Sequence, residues 1–155
     1  MSEKLPRFKE IVMPALLRSA RSTYGAAMCR ALAEEGYGDV PKNGMYVIGG
    51  LALGVGDVPL SRLIQELGVS KQAAGQLVDT LVLRGYLERA VHSDDRRKLT
   101  ITLTERGQAA AAAQAVARMR IDAELVARVG ADDVARTRRT LAALRDMGRQ
   151  AEVAH

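Results

Sequence analysis

Between Leu60 and Leu81 the apolar residues fall into two helical stripes with one interruption. Leu60, Leu63, Ile64 and Leu67 recur at i, i+3, i+4 and i+7, and Ala74, Leu77, Val78 and Leu81 repeat that interval after Gly68-Val69-Ser70. Two amphipathic helices therefore share one core. Gly68 is free to take the left-handed conformation that ends a helix, and Ser70 can cap the next one by accepting from a free backbone N–H. Two helices joined by a turn this tight read as a helix-turn-helix.

The second helix is expected from Lys71 to Arg84, with Lys71, Gln72, Gly75, Gln76 and Asp79 on its outward face. Gln72 and Gln76 lie four apart and project together. A glutamine amide offers a donor beside an acceptor, which matches the adenine edge in the major groove of DNA. Taken alone, the same pattern serves equally well as a solvated helix face. Gly85 stops the helix, and Tyr86 to Val91 and Lys98 to Leu103 then flank the polar run His92-Ser93-Asp94-Asp95-Arg96-Arg97. Leu99, Ile101 and Leu103 alternate with Lys98, Thr100 and Thr102, the period of a half-buried strand. Arginines at the tip of a hairpin suit phosphates or the minor groove, because guanidinium is planar and permanently charged.

Leu63 to Ser70, Leu77 to Leu81, Arg84-Gly85-Tyr86-Leu87-Glu88-Arg89, Asp95-Arg96-Arg97 and Leu103-Thr104-Glu105-Arg106-Gly107 together resemble the winged helix-turn-helix of the MarR family. The D-R-R run followed by L-T-x-x-G is the most specific part. The resemblance implies a mainly α fold with a small β-hairpin wing, in which a winged helix-turn-helix is joined to a helical dimerisation layer. Residues 1–155 would form a single domain, with a DNA-binding module at 41–103 and dimerisation helices at 14–36 and 104–150. It further implies a homodimeric, ligand-responsive repressor on an inverted-repeat operator in double-stranded DNA. Ser70, Lys71, Gln72, Ala73, Gly75, Gln76, Arg96, Arg97 and Lys98 would contact the duplex. A small aromatic effector would sit between the two layers against Tyr24, Met28, Met45 and Tyr46, residues that ordinary core packing explains equally well. Where the family commonly has small hydroxyl residues and an arginine on the recognition helix, this chain has Ala73, Gly75 and Gln76, which alters the expected target sequence and affinity.

The chain of 155 residues is long enough to bury a core. That core must be aliphatic, since 48% of residues are hydrophobic yet there is no Trp, one Phe and four Tyr. The net charge of +5 suits a polyanionic partner but is spread too evenly to locate a site. Met1 to Arg21 lacks the apolar stretch of a signal peptide, Met45 to Gly56 is too short to span a bilayer, and one cysteine excludes an internal disulfide, so a cytoplasmic protein is expected.

Pro14 suits the start of a first long helix reaching about Glu35, and Gly36-Tyr37-Gly38-Asp39 ends it. Pro41 can begin a second, carrying Met45, Val47, Ile48, Leu51 and Leu53. Gly49-Gly50 disfavours helix there and Tyr46-Val47-Ile48 would accept a strand; the family resemblance decides for helix. Gly54 to Val58 reads as a connection with room for a short strand. Thr104 can cap a helix containing Gly107, and an alanine-rich run extends to Val129. Beyond Gly130, Asp132 and Asp133 place negative charge at a helix start, and Val134, Thr137, Leu141, Leu144 and Met147 form a nearly heptad seam.

Other chemistry finds little support. Gly68 to Gln72 lacks the last glycine of a nucleophile elbow, and Gly54-Val55-Gly56 is too little for a dinucleotide loop. His92 and His155 have no ligand spacing with Cys29 or an acidic pair, so neither a metal nor a cofactor is expected. Cys29 fits a small packed residue at a helix interface better than a redox sensor. No convergent nucleophile, base and metal set points to an enzyme. The alternative to a DNA-binding regulator is a winged-helix protein-interaction module without specific DNA binding.

Overall fold

A computed structural model of the protein describes residues 7–54, 60–92 and 95–154. After a short helical turn at Phe8–Glu10, the described elements are α1 (Met13–Glu34), α2 (Gly44–Leu53), α3 (Leu60–Leu67), α4 (Lys71–Leu83), β1 (Leu87–His92), β2 (Asp95–Leu103), α5 (Glu105–Val129) and α6 (Ala131–Val153). The fold is mainly helical with one small antiparallel hairpin, as expected. It divides into two compact units, Met1–Arg118 and Met119–His155.

The first unit is built around Leu32, Met45, Val47, Ile48, Leu81, Tyr86 and Leu87, each at most 2% exposed, with Ala110 and Ala111 of α5 closing the cluster. Two of its helices, α1 and α4, stop by one device. At the end of α4, Gly85 takes φ +82°, so that its N–H reaches the Val82 carbonyl and the Tyr86 N–H reaches that of Leu81. Both otherwise unpaired carbonyls are satisfied, and Tyr86 turns into the core over Leu81. Gly36 at φ +86° ends α1 in the same way and delivers Tyr37.

α2 runs through Gly49 and Gly50 as a helix but starts at Gly44, three residues after the expected Pro41. Pro41 instead opens a turn closed by the Gly44 N–H on the Pro41 carbonyl at 2.8 Å. Tight packing against Leu81 holds α2 there: a Cβ on Gly44 would lie 3.0 Å from the Leu81 side chain. Gln114, 3% exposed on α5, donates from Nε2 to the Met45 carbonyl at 3.0 Å.

The hairpin is longer than the alternation predicted. Tyr86 belongs to the helix cap and not to the strand, while β2 begins at Asp95, paired with His92 across an irregularity at Val91/His92. Leu87 pairs with Leu103 and Arg89 with Ile101, and Ile101 and Leu103 pack half-buried on the core. The expected short strand between Gly54 and Val58 falls largely outside the described residues. At the start of α5, Thr104 Oγ1 accepts from the Gly107 N–H at 3.0 Å and donates to the Gly85 carbonyl, which joins the cap of α5 to the end of α4.

The second unit comprises the end of α5 and all of α6. Gly130 at φ +91° separates them, and Asp132 and Asp133 occupy the first turn of α6, where the helix dipole favours negative charge. α6 buries none of its residues; Leu141, Leu144 and Met147 are 39%, 46% and 65% exposed. No described helix is long and apolar enough to cross a membrane.

Candidate nucleic-acid interface

The second helix of the helix-turn-helix carries the predicted face. Ser70 caps α4 by accepting from the Ala73 N–H at 3.2 Å. Ala74, Val78 and Leu81 are buried, and Leu77 is half-buried beside them. Ser70, Lys71, Gln72, Ala73, Gly75 and Gln76, the part of the expected set that α4 and its cap carry, are all exposed. A Cβ on Gly75 would meet nothing within 4 Å.

The wing is tied to this helix. Arg89 on β1 is ion-paired with Asp79 on α4, a link between helix and hairpin that the sequence reading did not contain. Exposed pairs of this kind contribute only about 0–1 kcal/mol, so the effect is to bias orientation more than to hold the fold. Arg96, Arg97 and Lys98 belong to β2, and their side chains lie outside the described ones.

A second arrangement, also unforeseen, lies behind the other end of α4. Asp39, in the turn between α1 and α2, accepts from the Tyr86 hydroxyl and, at 3.2 Å, from Arg106 Nη2. Arg106 also donates to the Tyr86 hydroxyl at 3.0 Å and lies over the rings of Tyr86 and Tyr37, 4.6 Å and 5.2 Å from their centroids. The two rings meet edge to face at 6.2 Å. Arg84, at the C-terminal cap of α4, donates to the Asp39 backbone carbonyl. The Tyr86 hydrogen bond, ahead of the nearby arginines, holds the Asp39 carboxyl below its usual range, while burial and then the bond to Asp39 push the Tyr86 hydroxyl up to about 12. These partners are 45 to 67 residues apart from Asp39, and no local spacing announces them.

Between that turn and α4 lies an open groove of about 350 Å³, with Pro41, Lys42 and Asn43 on one side and Ala73, Gln76, Thr80 and Arg84 on the other.

The residues expected around an effector divide. Met45 is 1% exposed within the core and Met28 packs half-buried against the same core. Tyr24 and Tyr46 are half-buried. Arg21 lies 4.3 Å over the Tyr46 ring and donates from Nε to its hydroxyl at 3.0 Å, and a Cβ on Gly25 would meet this hydroxyl at 3.7 Å, an ordinary contact. Gln114 Oε1 is buried without a hydrogen-bond partner among the described residues. Cys29, expected to be packed, is exposed, although its helical neighbours Gly25 and Leu32 are buried.

A helix-turn-helix followed at once by a two-stranded hairpin defines a winged-helix protein. Residues 45–98 match the model of the MarR family, which places the family signature on α2 to the wing. Solved structures share the fold over nearly the whole chain. A probable transcriptional regulator from Pseudomonas aeruginosa is 24% identical, with 88% of this chain and 98% of that one covered at a TM-score of 0.63. MepR of S. aureus in complex with DNA is 16% identical, covering 88% and 98% at 0.68. The transcriptional repressor CouR bound to a 23-mer DNA duplex is 20% identical, covering 92% and 99% at 0.66. No curated protein matches the chain. The chain thus has a winged helix-turn-helix fold, and its residues 45–98 are similar to the MarR family.

Proposed function

We propose that the protein is a sequence-specific DNA-binding transcriptional regulator that acts as a homodimeric repressor on an inverted-repeat operator. The observation that carries this reading is the capped helix α4, with its buried side locked into the core and Lys71, Gln72, Gly75 and Gln76 free on the outer side, beside a wing tied to it through Arg89 and Asp79. MepR and CouR, which share the fold, were each solved on DNA. Homodimerisation is supported by the apolar residues that a single chain leaves exposed on α5 and α6, among them Val116, Met119, Leu141, Leu144 and Met147. Release by a small aromatic molecule is supported by Tyr24 and Tyr46, half-buried on α1 and α2 within reach of solvent. Arg96, Arg97 and Lys98 complete the contact from the wing.

Selection of bound duplexes from a random pool, with the parent and with Gln76→Ala, tests this function. The parent should recover an inverted repeat with half-sites about 10 base pairs apart. Gln76→Ala should lose about 1–3 kcal/mol on that site and much less on random DNA, because only a matched base rewards the amide. Identical motifs from both proteins would remove α4 from the reading, and no enrichment with the parent would favour a winged helix that binds protein instead.

A further inference from the structure

The groove beside α4 is cationic and its walls are fastened to each other. Arg84, on the helix side, donates to the Asp39 carbonyl at the base of the opposite wall. Asp39 is held in turn by Tyr86 and Arg106 at the root of the wing and the start of α5, so the turn bearing Lys42 and Asn43 is anchored to the same elements that set α4. Two carboxylates near the helix are already engaged, Asp39 with Arg106 and Asp79 with Arg89. Lys42 is exposed and, among the described residues, has no ion-pair partner, which leaves its charge uncompensated at the rim. Gln76 belongs both to the exposed face of α4 and to the groove.

We infer that this groove receives one sugar-phosphate strand of the duplex whose major groove α4 occupies, with Lys42 as its phosphate-contacting cation and Asp39 as the residue that positions it. The inference rests on the proposed DNA binding. An α-helix with its side chains is about 10–12 Å across and the major groove about 12 Å wide, so the flanks of an inserted helix face the two backbones. On the flank of Gln76 and Thr80 the protein surface is this concave, positive groove, which matches a convex polyanion in shape and charge. Lys42 contributes sequence-independent binding, separate from what Gln76 reads.

The experiment pairs Lys42→Ala and Lys42→Glu with a scan of the operator in which single phosphates are replaced by neutral methylphosphonates. Lys42→Ala should weaken operator and random duplex by the same several-fold factor. It should also lower the slope of log K against log salt by about 0.9 per phosphate lost, hence about two for a dimer. Lys42→Glu should weaken both further. One phosphate position per half-site should cost the parent affinity when neutralised and cost Lys42→Ala nothing. If the parent binds DNA and both variants keep its affinity, its slope and its pattern of sensitive phosphates, the groove is not a backbone site while the DNA-binding reading stands. If the parent binds no duplex, both fall together.

Discussion

Gly107 lies against the carbonyl oxygen of Tyr86 so closely that a Cβ on Gly107 would stand 2.1 Å from it. The same carbonyl accepts from the Thr104 N–H at 3.1 Å, so the oxygen cannot move aside without giving up the cap of α5. Gly107→Ala should therefore destabilise the fold by about 1–3 kcal/mol, the range of an overpacked core. Urea denaturation checks it; a loss within about 0.5 kcal/mol, as for an ordinary surface change, would show that the α5 start slides freely over the wing root.

Gly75 predicts the opposite sign. Nothing stands within 4 Å of its missing Cβ, and it occupies the interior of α4. Gly75→Ala should raise stability by about 0.8–1.0 kcal/mol through helix propensity. On the proposed operator the added methyl group meets the approaching base edges, so affinity should fall while melting temperature rises. Parallel thermal melts and operator titrations separate the two effects, and a rise in both would show that this face does not approach the bases closely.

Tyr86 and Asp39 make stability depend on pH at both extremes. The Tyr86 hydroxyl is raised from 10.0 to about 12, so its contribution is whole below pH 10 and is lost as pH rises through about 12. The Asp39 carboxyl is lowered from 3.8, chiefly by that same hydrogen bond, so its contribution is present above 3.8 and is lost as pH falls through the lower folded value. Tyr86→Phe should flatten the alkaline fall and blunt the acid one, at a cost near neutral pH of about 1 kcal/mol for the lost hydrogen bond. Denaturant midpoints measured from pH 3 to pH 12 decide it; a variant curve parallel to the parent throughout would contradict the coupling.

Removing the chain after Gly130 takes away Leu141, Leu144 and Met147, none of which is buried in the single chain and which the proposed homodimer would cover. The truncated protein should sediment as a monomer at micromolar concentration. A truncated dimer would place the interface elsewhere.

The local elements of this protein were legible in its sequence because local physics sets them. Gly68 and Gly85 take positive φ, Ser70 caps α4, Thr104 caps α5, and the stripe of Ala74, Val78 and Leu81 is the buried side that periodicity marked. Each depends on residues within four positions of one another, and the exposed set from Ser70 to Gln76 follows from the same register. Where several helical starts were sterically open, packing chose between them. α2 begins at Gly44 and not Pro41 because that residue must pass beside Leu81. Tyr86 left the strand because the cap at Gly85 turns it into the core.

Only the tertiary structure brought Asp39 to Arg84, Tyr86 and Arg106, and Lys42 to the flank of Gln76. Their sequence separations exceed any helical or strand period, so no pattern along the chain encodes the meeting. It arises because Leu32, Met45, Leu81 and Tyr86 share one core, and burying them together carries the α1–α2 turn to the end of α4. Sequence thus set which side of α4 would be free, and the fold decided what stands next to it.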